Sequence, residues 1–143
     1  MILTLPLPPS NNVYYRHARS ITYLSKPGRT YKDLVKAKYC KILQCHDKNI
    51  AIGILIHPKK NKDGTATKKV LDIDNYFKAL FDSLKEVLYD DDNQIKRLDY
   101  VQYSFAVDKG AISMHVRLLE DNDSYLSGLD INDCYDHKEL VNQ

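Results

Sequence analysis

Five aspartates in two short stretches are the residues best suited to chemistry in this sequence. The stretch DIDNYFKALFDSL opens with Asp72 and Asp74, and YDDDNQI contributes Asp90, Asp91 and Asp92. Carboxylates are hard oxygen donors. Mg2+ usually takes one or two of them and fills its shell with water and substrate phosphate. If residues 71–74 are extended, side chains two apart face the same way, and Asp72 and Asp74 could meet one cation. Lys78 lies four residues after Asp74, on the same face of a helix. It could support negative charge developing on a phosphate in the transition state. Immediately before this stretch runs PKKNKDGTATKK, with Lys59, Lys60, Lys62, Lys68 and Lys69. Bare carboxylates repel a DNA phosphate, so a polyanion approaches them only with cations around and a metal to neutralise them. An acidic centre with a basic rim is what a metal-dependent nuclease needs.

Each of these signals has a plainer explanation. Asp74 could cap a helix by accepting from the amide of Phe77. Asp90 to Asp92 could be an ordinary acidic turn. Asp74 and Lys78 could form a surface ion pair worth a few tenths of a kcal/mol. A calcium loop is rejected, because no Gly occupies the required turn and no Glu closes the loop at the right spacing. Distance is a further constraint. A helix of about 15 residues spans roughly 22 Å. A carboxylate from YDDDNQI therefore joins the first pair only if the chain folds back or a second chain supplies it, and the sequence leaves both routes open.

The totals narrow the class of protein. A chain of 143 residues fits one domain with one core. No apolar run approaches the roughly 20 residues needed to span a bilayer, and the N-terminus lacks the marks of a signal peptide. Three cysteines with no CxxC pair point to free thiols in a reducing compartment, the cytoplasm. Cys40 and Cys45 fall in a helical pattern and read as buried structural thiols. The net charge of +2 conceals an asymmetry: residues 1–119 carry an excess of positive charge and residues 120–143 an excess of negative charge. A basic body suits a polyanionic partner such as nucleic acid.

The elements that must position the aspartates follow from apolar periodicity. ILTLPLP predicts a strand running into an extended segment. SNNVYYRHARSITYLS begins as a polar loop and ends as a strand over Ser20–Ser25, after which KPGR breaks the chain. TYKDLVKAKYCKILQCH predicts a helix with Tyr31, Leu34, Val35, Ile42 and Leu43 at helical spacing and Thr30 as N-cap. NIAIGILIHP predicts a buried strand. VLDIDNYFKALFDSLKEVL leads into a second helix with Phe77, Leu80, Phe81, Leu84 and Leu88 as its buried stripe. VQYSFAV and AISMHVRLL, joined by DKG, predict an antiparallel hairpin. The sum is an α+β single domain, a mixed or antiparallel sheet with two main helices packed on it. It occupies residues 1–119 and is followed by an acidic tail over 120–143.

Two separated motifs, PPSNNxYYR near the N-terminus and DxDNxxKxxxDxL followed by DDxQ, together make the chain resemble the RusA family of Holliday junction resolvases. The resemblance runs from about Leu3 to Leu118. It implies a Mg2+-dependent endonuclease, with Mn2+ able to substitute, that acts as a homodimer and cuts four-way DNA junctions symmetrically. It places the catalytic aspartates on Asp72, Asp74 and Asp92, the metal-binding ones on the same three together with the acidic neighbour Asp91, and the functional catalytic lysine on Lys78. Asn12, Tyr15 and Arg16 match the N-terminal motif and are expected near DNA, with Lys59, Lys60, Lys68 and Lys69 as further phosphate contacts. His17 also matches, with a surface role equally open. Two rival readings stand beside it: a non-catalytic, regulatory DNA-binding protein, and a metal nuclease for other branched DNA. Asp90 is one acidic residue more than the motif requires, so the register of the triplet is a question for the structure.

Overall fold

The computed structural model describes residues 1–40, 45–68 and 72–120. In order, the chain forms β1 (Ile2–Pro6), a one-turn α1 (Asn11–Tyr14), β2 (Tyr15–Ala18), β3 (Ile21–Leu24), α2 (Lys26–Tyr39) and β4 (Ile50–His57). A 3-10 turn (Ile73–Tyr76) then leads into α3 (Phe77–Leu84), and a second 3-10 turn (Asp92–Gln94) into β5 (Ile95–Tyr103) and β6 (Ala111–Leu118). Four strands make one mixed sheet in the order β1, β6, β4, β5, while β2 and β3 form a separate ribbon. The expected α+β class is therefore the observed one.

β4 organises the sheet. Its sequence IAIGILIH is apolar on both faces and buried along nearly its whole length, as in a central strand with both faces covered. β6 pairs with it antiparallel and β5 pairs with it parallel. Ile50, Ile52, Ile54 and Ile56 meet Leu3, Leu5, Ile112 and Met114 in the core beneath Tyr31, Val35, Tyr39, Leu80 and Leu84 of the two helices. Truncating one such side chain to Ala costs about 2–5 kcal/mol. The helices also staple the sheet edge: the Tyr31 hydroxyl donates to the carbonyl of Pro6 at 3.0 Å, and Lys38 Nζ to that of Thr4 at 2.8 Å.

The predicted hairpin does not form. β5 and β6 lie on opposite edges of β4, and the segment between them arches over the end of that strand. The arch is held by Ser104 N–H to the Ile56 carbonyl and Val107 N–H to the Pro58 carbonyl, both 2.8 Å, and by His57 Nδ1 at 3.0 Å from the Phe105 carbonyl. Alternation identified both segments as strands but carried no information about partners. The parallel pairing of β4 with β5 needs a crossover, and α3 supplies it.

Three boundaries also differ from expectation. α2 starts at Lys26 rather than near Thr30, because Ser25 Oγ accepts from the Gly28 amide at 3.0 Å and Pro27 sits in the first turn, where its missing N–H costs nothing. KPGR thus opens the helix instead of breaking the chain. Leu34 is exposed, Tyr39 takes its place in the buried stripe, and Ile42 and Leu43 lie outside the described residues. The segment read as a loop before β3 contains β2, closed onto β3 by Arg19 and Ser20, both at positive φ (47° and 68°), as a two-residue hairpin turn requires. Cys45 is buried, but Cys40 is exposed at the end of α2.

The third boundary difference decides the site. α3 stops at Leu84 instead of running to Leu88. Lys85 leaves helical geometry, Glu86 takes a φ of 63°, and its amide bonds to the Tyr89 carbonyl at 2.7 Å. Tyr89 is buried and its hydroxyl donates to the Phe81 carbonyl at 2.8 Å. These contacts turn the chain back along the helix. Among the described residues, no helix is long and apolar enough to cross a membrane.

Candidate active site

Asp72 and Asp74 do not form the extended pair that alternation suggested. Asp72 is in extended geometry just before the 3-10 turn, and Asp74 lies inside that turn. Neither carboxylate caps a helix. The turn has no side-chain cap, and the amide of Phe77 bonds to the backbone carbonyl of Asp74, not to its side chain. Both residues are exposed, and neither makes an ion pair among the described residues. Capping therefore does not account for them. Asp72 lies close enough to Tyr103 to help raise its pKa, after burial and Tyr76. Asn11 approaches from α1, donating from Nδ2 to the Asp74 carbonyl at 3.2 Å. Its Oδ1 is buried without a hydrogen-bond partner among the described residues. The sequence reading selected Asn12, which is exposed; the side chain that touches the acidic turn is Asn11.

The returning chain gives the three consecutive aspartates three different surroundings. Asp90 faces His46, with Oδ1 at 2.6 Å from Nδ1, and accepts from the Asp47 amide at 3.3 Å. Asp91 caps the second 3-10 turn, accepting from the Asp92 amide at 2.8 Å and from Lys85 Nζ at 3.1 Å. Lys85 first, then these hydrogen bonds, hold its carboxyl below the usual carboxylate range. Only Asp92 faces Lys78, at 4.0 Å. Gln94 anchors the turn: its Oε1 accepts from the amides of Asp90 and Asp91 at 2.7 and 3.1 Å, and its Nε2 donates to the carbonyls of Cys45 and Lys48 at 2.7 and 2.8 Å. The three aspartates thus differ in their contacts, and among them Asp92 is the one paired with Lys78.

Lys78 pairs with Asp82, one turn further along α3, at 3.0 Å, and not with Asp74 as its spacing suggested. Asp82 was passed over in the sequence, although it is the last acidic residue of the DxDNxxKxxxDxL motif and stands four residues after Lys78, the spacing of facing helical side chains. Its second oxygen accepts the hydroxyl of Tyr15. Tyr15 thus sits at the acidic surface, whereas Arg16 and His17 project from the exposed ribbon, His17 beside Thr22 Oγ1 at 2.8 Å.

The basic loop follows β4. Lys60 N–H bonds to the Val107 carbonyl and Thr67 N–H to the Lys59 carbonyl, both at 2.9 Å, and Asn61, Asp63 and Thr65 close the tip. Lys59, Lys60, Lys62 and Lys68 are exposed, and Lys60 stands 3.9 Å from Asp108. Lys69 lies outside the described residues. The loop leaves the same end of the sheet at which β5 terminates in Tyr103, the neighbour of Asp72.

Among the described residues, no three His, Cys, Asp or Glu side chains are grouped so as to hold a metal ion. The available donors nevertheless suit a hard cation: the two unpaired carboxylates of Asp72 and Asp74, the loosely paired carboxylate of Asp92, and the unsatisfied Oδ1 of Asn11. Mg2+ needs few protein ligands, so such an open acidic surface fits it better than a closed cage would.

A small α+β domain with an open carboxylate surface, one lysine between two of its acids and a lysine loop beside it has the makings of a nuclease. A family model described as Endodeoxyribonuclease RusA matches residues 6–117, and the chain belongs to that family. It is 38% identical over 109 residues to the crossover junction endodeoxyribonuclease RusA of Escherichia coli K12, covering 76% of this chain and 85% of that protein. The phage 82 protein of the same name is 36% identical over 113 residues, and that of Shigella sonnei 36% over 110, each at the same coverage of 76% and 85%.

Proposed function

We propose that this protein is a crossover junction endodeoxyribonuclease that resolves four-way DNA junctions by Mg2+-dependent phosphodiester hydrolysis, acting as a homodimer. The observation that carries the reading is the reversal after α3. It brings Asp92 to Lys78, while Asp72 and Asp74 are exposed and make no ion pair among the described residues. Asp72, Asp74 and Asp92 are the residues that would hold the metal. When bound, the metal would activate water and neutralise charge at the phosphate. Lys78 supplies a positive charge beside Asp92, there to support the oxygen that gains charge in the transition state. Lys59, Lys60, Lys62 and Lys68 attract the phosphodiester backbone, reading its shape more than its bases. Asp91, engaged with Lys85 and the cap, serves to hold the turn that carries Asp92. A four-way junction has approximate two-fold symmetry, which an isologous dimer matches by presenting one site to each of two opposed strands.

Binding without cleavage is the principal alternative. It leaves two unpaired carboxylates on a surface meant for a polyanion, which only weakens binding. The deciding experiment uses an end-labelled synthetic four-way junction with Mg2+ and a linear duplex as control. Wild type should introduce paired symmetric nicks, and Asp74→Asn should bind the junction without nicking it. Tight binding by wild type with no cleavage in Mg2+ or Mn2+ would refute the nuclease reading.

A further inference from the structure

Lys78 stands between two anions and is shared unequally. Its Nζ is 3.0 Å from Asp82 Oδ1 and 4.0 Å from Asp92 Oδ2. The Asp82 side chain is 19% exposed and that of Asp92 42%, so the shorter pair is also the less screened. Asp82 is itself held, because its other oxygen accepts the Tyr15 hydroxyl. Tyr15 is fixed in turn by the buried Tyr14, edge to face with ring centroids 4.8 Å apart. Burial first, then the hydrogen bond to Asp82, keep the Tyr15 hydroxyl protonated well above its ordinary range, so it acts as a donor to that carboxylate. Tyr15, Asp82 and Lys78 form a chain from the N-terminal motif to α3 that ends one ångström short of a full ion pair with Asp92.

We propose that Asp82 is a positioning residue that, braced by Tyr15, holds Lys78 off Asp92 and so keeps the Asp92 carboxylate available to a divalent cation. Without Asp82, the nearest anion to the lysine is Asp92, and an ammonium that closes on it competes with the metal for the same oxygens. With Asp82 in place, Lys78 stays within reach of a phosphate but does not quench the ligand. The inference rests on the reading of Asp92 as a metal ligand.

The test is Mn2+ binding to the full chain without DNA, followed by electron paramagnetic resonance of free Mn2+. Asp82→Asn should weaken binding about tenfold, the scale of losing a partner that orients a ligand, and Tyr15→Phe by a smaller factor. The double variant Asp82→Asn with Lys78→Met should recover wild-type affinity while remaining inactive on junctions. A purely structural role for Asp82 predicts no such recovery. Unchanged affinity in Asp82→Asn, or equal loss with and without Lys78, would overturn the proposal. Asp92→Asn is the separate control: if it binds Mn2+ as wild type does, the ligand reading itself fails, and the proposal with it.

Discussion

The two acidic clusters are built from the same residue and meet opposite fates. Asp72 and Asp74 sit on an exposed turn, without ion pairs among the described residues and without capping roles. Asp90 and Asp91 are fully employed, one against His46 and the other in a capping box and a lysine pair. Asp92 lies between these conditions, adjoining the employed pair in sequence but facing only Lys78, at 4.0 Å, among the ion pairs of the described residues. Unpaired like charges close together are unfavourable, and folding does not require them here. Asp90 and Asp91 have an architectural explanation and the first cluster has none, which is why the proposed chemistry is assigned to the first cluster and to Asp92.

The sharpest way to break this contrast is to neutralise the acids assigned to chemistry. Asp74→Asn or Asp92→Asn should lower junction cleavage by roughly 10^3-fold, the scale of removing one preorganised charge interaction. Thermal melting should barely move, since exposed substitutions change stability by less than about 0.5 kcal/mol. Cleavage within a few-fold of wild type would remove the distinction between the clusters.

The converse experiment removes the scaffold of the second cluster. Gln94 is 8% exposed and makes four hydrogen bonds to backbone groups. Gln94→Ala removes all four of these bonds and should cost about 3 kcal/mol in urea denaturation. Activity should fall as well, because the same turn carries Asp92. A fully stable Gln94→Ala protein would mean that the turn is held by something else.

Within the triplet, Asp90→Asn should be nearly silent. Its pair with His46 is about half exposed on both sides, so the loss is below about 1 kcal/mol, and nicking rates should stay within about threefold of wild type. A collapse of cleavage in Asp90→Asn would shift the catalytic assignment by one or two residues.

The smallest effect is a pH dependence. The Asp91 carboxyl lies below its ordinary range chiefly because of Lys85, and the Lys85 ammonium is raised chiefly by Asp91. The depressed acid stabilises the fold above the ordinary carboxylate pKa, and that contribution disappears as pH falls through its folded value. The raised lysine contributes below the ordinary lysine pKa and loses its contribution as pH rises through its folded value. Melting curves of wild type and Asp91→Asn should therefore separate slightly at neutral pH and converge in acid. Separation that grows in acid would show that the pair is not the source.

Much of the fold was legible because burial writes a period into sequence. The alternation in ILTLPLP, the unbroken apolar run in NIAIGILIHP and the helical stripe Phe77, Leu80, Phe81, Leu84 all mark real elements. Helix ends were less legible. Nothing resembling Gly or Pro stops α3 at Leu84; Glu86 adopts a left-handed conformation there because Val87, Leu88 and Tyr89 are buried by turning back. Asn11 and Asp82 were missed for a related reason. Each does its work through a residue distant in sequence, Asp74 and Tyr15 respectively, and no local spacing records such a contact.

By itself, then, the sequence determined the chemistry available: two groups of hard oxygen donors, a lysine on a helix and a lysine-rich loop, borne on strands and helices whose periods follow from burying one face. Only the tertiary structure decided which acids stay free, which lysine partner is nearest and which strands are neighbours. Those outcomes depend on where the chain reverses. At Glu86 that reversal is driven by the burial of side chains against a core that exists only once the whole domain has folded.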